Sequence, residues 1–110
     1  MSQPNELKPA TALLAEHGVP LKTVDFHRLC LADGILVRGW RESGKPDRDP
    51  VSFWLVGPKG EPYAVEIKSH LSPEPVVRFR ADKFGELIAS LRVTLAWFVR
   101  EGEIVLRAAE

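Results

Sequence analysis

Residues 63–91, with the sequence YAVEIKSHLSPEPVVRFRADKFGELIASL, decide the fold class. In the first part of this stretch apolar and polar residues alternate, which is the repeat of a β-strand with one buried and one exposed face. The alternation predicts one strand at 63–68 and a second strand at 76–80. The side chains expected to face the core are Tyr63, Val65, Ile67, Val77 and Phe79, and those expected to face outward are Glu66, Lys68, Arg78 and Arg80.

From residue 82 the apolar spacing changes from two residues to three and four. This spacing predicts an amphipathic helix over 82–92, whose apolar stripe faces the core. The residues at i, i+3, i+4 and i+7 of the stripe are Phe84, Leu87, Ile88 and Leu91.

Residues 93–99 allow two interpretations. Their β-branched and aromatic content favours a strand that turns at Glu101-Gly102, and this is the preferred prediction. The alternative is that the helical stripe continues to Arg100 and that Gly102 ends the helix.

The segments before residue 63 predict further strands and one more helix. The composition of 9–17 favours a short helix that ends at Gly18, and Val24 and Phe26 lie in an alternating pattern that predicts a strand. Further strands are expected at 35–40 and 51–56, separated by a charged loop at 41–50. The whole pattern predicts an α+β fold with one mainly antiparallel sheet of four or five strands. The amphipathic helix packs on one face of that sheet, residues 9–110 form one domain, and residues 1–8 are expected to be flexible.

The composition excludes several classes of protein. The chain has 110 residues, 45% of them hydrophobic, so it is not intrinsically disordered. Its 15 basic and 15 acidic side chains cancel, so any nucleic-acid site must be a local patch on a neutral protein. The longest apolar runs are too short to span a bilayer. The absence of a basic and apolar leader, together with the single cysteine, Cys30, predicts a cytoplasmic location.

One motif points to catalysis. Pro46-Asp47 precedes one predicted strand, and Glu66-Ile-Lys68 lies on the next strand, where residues 66 and 68 share a face. This pattern resembles the PD-(D/E)XK nuclease family. The resemblance implies an αβββαβ core in which Asp47, or Asp49 in its place, binds Mg²⁺ or Mn²⁺ together with Glu66, while Lys68 activates the attacking water. The competing interpretation is an exposed sheet face, on which Glu66 and Lys68 pair with the arginines of the next strand.

The order of elements over 63–91 resembles a second family, the single-strand-DNA-binding coactivators. The resemblance implies a sheet face that binds single-stranded nucleic acid. Lys68, Arg78 and Arg80 would supply the cations, and Trp40 or Trp54 would supply a surface on which bases stack.

No complete catalytic set is present, so we expect a small non-catalytic binding protein that requires no cofactor. Its contact surface is predicted to be the polar sheet face or the loop at 41–50. The partner is expected to be a protein or single-stranded nucleic acid and not a membrane, and the metal-dependent nuclease is the alternative. A homodimer formed through an edge strand or the region of Trp97 is a further expectation.

Overall fold

A computed structural model describes residues 6–44, 46–70 and 72–106. Within these ranges the chain forms helices and antiparallel sheets, so the predicted α+β class is confirmed. The strands are β1 (Leu7–Lys8), β2 (Leu36–Arg41), β3 (Val51–Val56), β4 (Ala64–Ser69) and β5 (Ser72–Arg80), and the helices are α1 (Ala10–Glu16), α2 (Thr23–Ala32), α3 (Phe84–Ser90) and α4 (Arg92–Arg100).

The described strands form two sheets, so the prediction of one sheet with four or five strands is wrong. The first sheet has the order β1-β5-β4, and the second is the β2–β3 hairpin. β3 lies beside β5 without forming a hydrogen-bonded ladder with it. Pro75 offers no N–H to a ladder, and the N–H of Val56 donates instead to the Glu66 carboxylate, 2.8 Å away.

Three phenylalanine rings form the centre of the core. Phe26 of α2, Phe79 of β5 and Phe84 at the start of α3 are at most 2% exposed. The Phe26 centroid lies 5.4 Å from that of Phe79 and 5.6 Å from that of Phe84, and the Phe79 and Phe84 centroids are 6.3 Å apart. These edge and tilted contacts join the first sheet to two helices.

The N-terminal helix is confirmed, and the strand predicted after it is wrong. α1 follows Pro9 directly and is closed by Gly18, whose φ of 63° suits glycine. The next residues form helix α2, in which Phe26, Leu29 and Cys30 are buried at helical spacing while Val24 is 62% exposed. The alternation around Val24 covers only a few residues, and so short a pattern does not distinguish a strand from a helix.

Helix α4 decides between the two interpretations of 93–99. The predicted helix at 82–92 corresponds to a short 3₁₀ turn followed by α3, and 93–99 belong to helix α4. The preferred strand is therefore wrong and the helical alternative is correct. Gly102 ends α4 with a φ of 75°, and Ile104 returns to the core with 2% exposure.

In β4 Glu66 and Lys68 are exposed as predicted, but the residue that is buried lies on their face. Ala64 is 4% exposed, whereas Ile67 is 40% exposed. The register places Ala64 directly opposite the buried Phe79. Leu7 and Lys8, expected in a flexible segment, pair with the end of β5, while residues 1–5 lie outside the described ranges.

The turn at 57–60 holds the hairpin against the end of α2. The N–H of Gly57 donates to the carbonyl of Ile35 at 2.8 Å, and that of Lys59 donates to the carbonyl of Gly34 at 3.1 Å. A Cβ atom on Gly60 would overlap the carbonyl oxygen of Ile35. This close approach of two backbones requires glycine.

We therefore expect Gly60→Ala to destabilise the protein by about 1–3 kcal/mol, the usual range for overpacking a buried site. Gly85→Ala is the matched control, because Gly85 is exposed in α3 and a Cβ there meets nothing within 4 Å. That control should gain up to about 1 kcal/mol in helix stability. Urea unfolding of the three proteins measures both changes, and equal midpoints would contradict the close approach.

Candidate functional site

The β2–β3 hairpin carries the most exposed aromatic side chain of the described residues. Its register pairs Arg38 with Trp54 and Trp40 with Ser52, so these four side chains share one face, which we call the Trp40 face. Trp40 is 64% exposed at its outer end. At the inner end, Leu36 is fully buried against the core.

The Trp54 ring contacts both a guanidinium group and an imidazole ring. The Arg38 guanidinium carbon lies 3.8 Å from the centroid of the Trp54 ring, and the His27 ring centroid lies 5.1 Å from it. Arg38 also donates through Nη1 to the Ser52 hydroxyl at 3.2 Å. The tilted contact of His27 with Trp54 joins the hairpin to α2, and Arg38 remains exposed.

A cleft of about 330 Å³ opens beside the Trp54 ring. Trp54 and His27 line it together with Arg78 of β5 and the hydroxyl-bearing Thr11 and Thr23. The two threonine Oγ1 atoms are 3.0 Å apart and hydrogen-bond to each other. The cleft thus combines flat apolar walls with a few polar groups, as small-ligand and base-binding sites do.

The cations around the Trp40 face are not neutralised by carboxylates. Among the described residues neither Arg38 nor Arg78 lies within ion-pair distance of an acidic side chain. Arg41, in contrast, donates through Nε to Glu74 at 2.6 Å on the other face of the hairpin. An anionic partner would therefore meet two available guanidinium groups beside an aromatic wall.

His27 is electrostatically disposed to remain neutral. Its partial burial against the hairpin lowers its pKa, and the positive charge of Arg38 lowers the pKa further. The neutral ring can then donate one hydrogen bond and accept one at the cleft.

The carboxylates expected in the nuclease motif do not meet. Glu66 accepts a hydrogen bond from the N–H of Val56 at the end of β3. Asp47 and Asp49 lie in the loop that precedes the start of β3 at Val51. The five steps along this strand span about 16 Å, far more than two ligands of one cation allow. In the three described ranges no group of three or more His, Cys, Asp or Glu side chains could hold a metal ion.

The expected basic sheet face is divided between two surfaces. Register places Arg78 opposite Val65 and Glu66 opposite Val77, so Glu66 and Arg78 lie on different faces. The predicted pairs between Glu66 and the arginines are therefore wrong. Arg80 lies on the same face as Arg78 and pairs with Leu7 of β1. Lys68 lies at an irregularity of the β4–β5 ladder.

The charged loop is confirmed as irregular, and its described residues form a shallow pocket. Glu42, Gly44 and Arg48 line this pocket together with Pro46 and Pro50. Arg48 is exposed and has no acidic partner within ion-pair distance in the described part of the chain.

Sequence reasoning identified Trp40, Trp54 and Arg78, but it did not identify His27 or Arg38. The alternating pattern around Val24 and Phe26 predicts a strand there, whereas the helical spacing of Phe26, Leu29 and Cys30 is the signal that places His27 in a helix. The pairing of Arg38 with Trp54 depends on the length of the hairpin loop, which the sequence does not specify.

Comparisons of the chain with protein-family models, with curated proteins and with solved structures found no match. Within the described residues, no helix combines the length and the apolar character needed to cross a membrane.

The contact between Glu66 and Val56 predicts a structural role for this carboxylate. Glu66→Ala should lower the free energy of unfolding by about 0.5–1.5 kcal/mol, because the N–H of Val56 loses its acceptor. Glu66→Gln keeps a carbonyl acceptor and should cost less. Glu86→Ala is the control, because Glu86 makes only an exposed ion pair with Lys83 in α3. Urea unfolding ranks the variants, and a ranking with Glu66→Ala equal to wild type would contradict this role.

The lowered pKa of His27 predicts loss of stability in acid. The neutral ring is favoured in the folded state, so its contribution is complete above the unfolded pKa near 6.5 and is lost as the pH falls below it. Between pH 7 and pH 5 the wild type should lose more stability than His27→Gln. His70→Gln, which changes an exposed turn residue, should behave as wild type. Thermal unfolding at several pH values tests this, and parallel curves for the wild type and His27→Gln would contradict it.

Proposed function

We propose that this protein is a small non-catalytic binding protein whose Trp40 face contacts nucleic acid. The observation that carries the proposal is the stack of Arg38 on Trp54 beside an exposed Trp40. Nucleic-acid-binding surfaces combine cations that meet phosphates with aromatic rings that contact bases or sugars.

The local charge supports an anionic partner. Arg78 lines the cleft, and Arg38 lies over the ring of Trp54, which lines it as well. Neither arginine has an acidic partner among the described residues, although the whole chain is neutral. Phosphates accept two hydrogen bonds from each guanidinium in a planar arrangement.

A binding role is proposed instead of catalysis because the carboxylates of the nuclease motif are far apart and one of them bonds to the backbone. We also propose a cytoplasmic location. Cys30, the single cysteine, is buried in the core, and burial raises the pKa of its thiol, so the chain keeps an unreactive thiol that suits a reducing compartment.

Replacing the exposed indole should weaken nucleic-acid binding without unfolding the protein. We expect Trp40→Ala to reduce affinity for a fluorescent 24-nucleotide strand and for the matching duplex by about fivefold or more, because base and sugar contacts with an aromatic ring contribute about 1–3 kcal/mol each. Fluorescence anisotropy at 50 mM salt measures the change.

The matched control is Trp97→Ala, which removes a half-exposed indole from α4. It should bind like the wild type. Arg38→Gln should weaken binding and also reduce its dependence on salt, because one phosphate contact is lost. Absence of binding by the wild type to both probes at 50 mM salt, or equal losses in Trp40→Ala and Trp97→Ala, would overturn the proposed function.

A further inference from the structure

β4 lies at one edge of the first sheet, because the order of that sheet is β1-β5-β4. At the start of β4 the N–H of Ala64 donates to the carbonyl of Gly60, 2.9 Å away. Beyond that point none of the described strands pairs with the outer side of β4. The opposite edge is β1, which has only two residues, so β4 with six residues presents the longer free edge. A free edge of this length is a template for pairing with a further strand.

The ladder with β5 shows which backbone groups of β4 point outward. The N–H of Arg80 donates to the carbonyl of Tyr63 at 2.8 Å, so the backbone groups of odd-numbered residues point toward β5. Those of even-numbered residues point away from β5. The N–H and C=O groups of Glu66 and Lys68 therefore face the free edge, where no described strand pairs with them.

The irregularity in the β4–β5 ladder does not interrupt this edge. Ile67 lies opposite Val76 and Ser69 lies opposite Ser72, so two steps along β4 correspond to four steps along β5. The additional residues therefore belong to β5. β4 itself continues as an extended strand to Ser69, and Lys68 keeps the alternation of the strand.

The side chains at this edge are exposed and carry both signs of charge. Glu66 and Lys68 share one face, and Ile67, 40% exposed, lies on the other. Among the described residues neither Glu66 nor Lys68 has a partner of opposite charge within ion-pair distance. The N–H of Val56 donates to Oε2 of Glu66, so Oε1 can still accept. The edge thus has one unmatched anion and one unmatched cation, two residues apart.

This arrangement is self-complementary in one register. Two antiparallel copies of a strand are related by a two-fold axis, and an axis at Ile67 places Glu66 opposite Lys68 of the partner subunit. An axis at Glu66 or at Lys68 would instead place two like charges directly opposite each other, which is destabilising. A slip by one residue would set the outward backbone groups of one strand against the inward groups of the other. Charge and backbone geometry therefore select the same register.

We propose that this protein associates with a second copy of itself by antiparallel pairing of the two β4 strands about Ile67. The two three-stranded sheets then form one continuous sheet. Each Glu66–Lys68 pair exchanges both backbone hydrogen bonds and brings opposite charges together. The inference is independent of the proposed nucleic-acid binding, because Arg38 and Trp40 lie on the hairpin and not on β4.

Reversal of one charge tests the register. Sedimentation equilibrium of the full chain at about 0.5 mM should show a reversible dimer, as expected for a small interface. Lys68→Glu should raise the dissociation constant at least tenfold, because each Glu66 then faces a glutamate of the partner subunit. Lys22→Glu makes the same change in net charge at an exposed position before α2, so it is the matched control and should dimerise like the wild type.

Two further variants separate the ion pairs from the backbone ladder. Glu66→Lys combined with Lys68→Glu restores opposite charges in the same register and should recover the dimer. Lys68→Pro removes an outward N–H without removing a bond to β5, and it should dissociate the dimer. Circular dichroism and urea unfolding of dilute samples establish that each variant is folded.

The outcomes decide the inference. Dissociation in Lys68→Glu, recovery in the double variant and wild-type behaviour of Lys22→Glu support it. A wild type that remains monomeric at about 0.5 mM overturns it, as does a dimer that persists in both Lys68→Glu and Lys68→Pro. Dissociation in Lys68→Glu without recovery in the folded double variant overturns the register about Ile67.

Discussion

Three phenylalanine rings from three elements meet in the centre of the molecule, and the placement of the other elements depends on this contact. Phe26 fixes the rotation of α2, and Phe84 fixes the start of α3 against the sheet. Phe79 also lies directly opposite the buried Ala64 of the neighbouring strand. The alternation of β4 puts Glu66 on the same face as Ala64, and its exposed carboxylate there accepts a hydrogen bond from the N–H of Val56. A chain of contacts therefore runs from the aromatic core to the hairpin.

The Trp40 face depends on the support that the β2–β3 hairpin receives from the rest of the molecule. A two-stranded hairpin is marginally stable on its own, and here it is supported at one end by the turn at 57–60 and on one face by His27. The hairpin also places Arg38 close enough to His27 for its charge to lower the pKa of the imidazole. On the other face of the hairpin Glu74 pairs with Arg41, and Glu103 pairs with Arg28 of α2.

The sequence predicted those elements whose pattern is long or whose boundaries carry glycine or proline. α1, the two hairpin strands, the charged loop and the helix beginning near residue 82 all belong to this group. The errors lie at 21–27 and 93–99, where β-branched and aromatic residues occur in a helix because tertiary packing outweighs their weak local preference. For the candidate site, exposed tryptophan and arginine were recognisable as residue types, but Arg38 and His27 were found only through their contacts with Trp54.

Local composition by itself determined the α+β class, the number of strong apolar segments and the presence of an exposed loop, because each of these depends on patterns within about ten residues. Only the tertiary structure decided which side of β4 is buried, whether the strands join in one sheet, and which cations gather around Trp54. The reason is that these outcomes depend on residues far away in the chain, such as Phe79 opposite Ala64. They also depend on single backbone donors, such as the N–H of Val56 and the N–H that Pro75 lacks. A sequence pattern records the preference of each segment, whereas register and packing select between faces that the pattern leaves nearly equal.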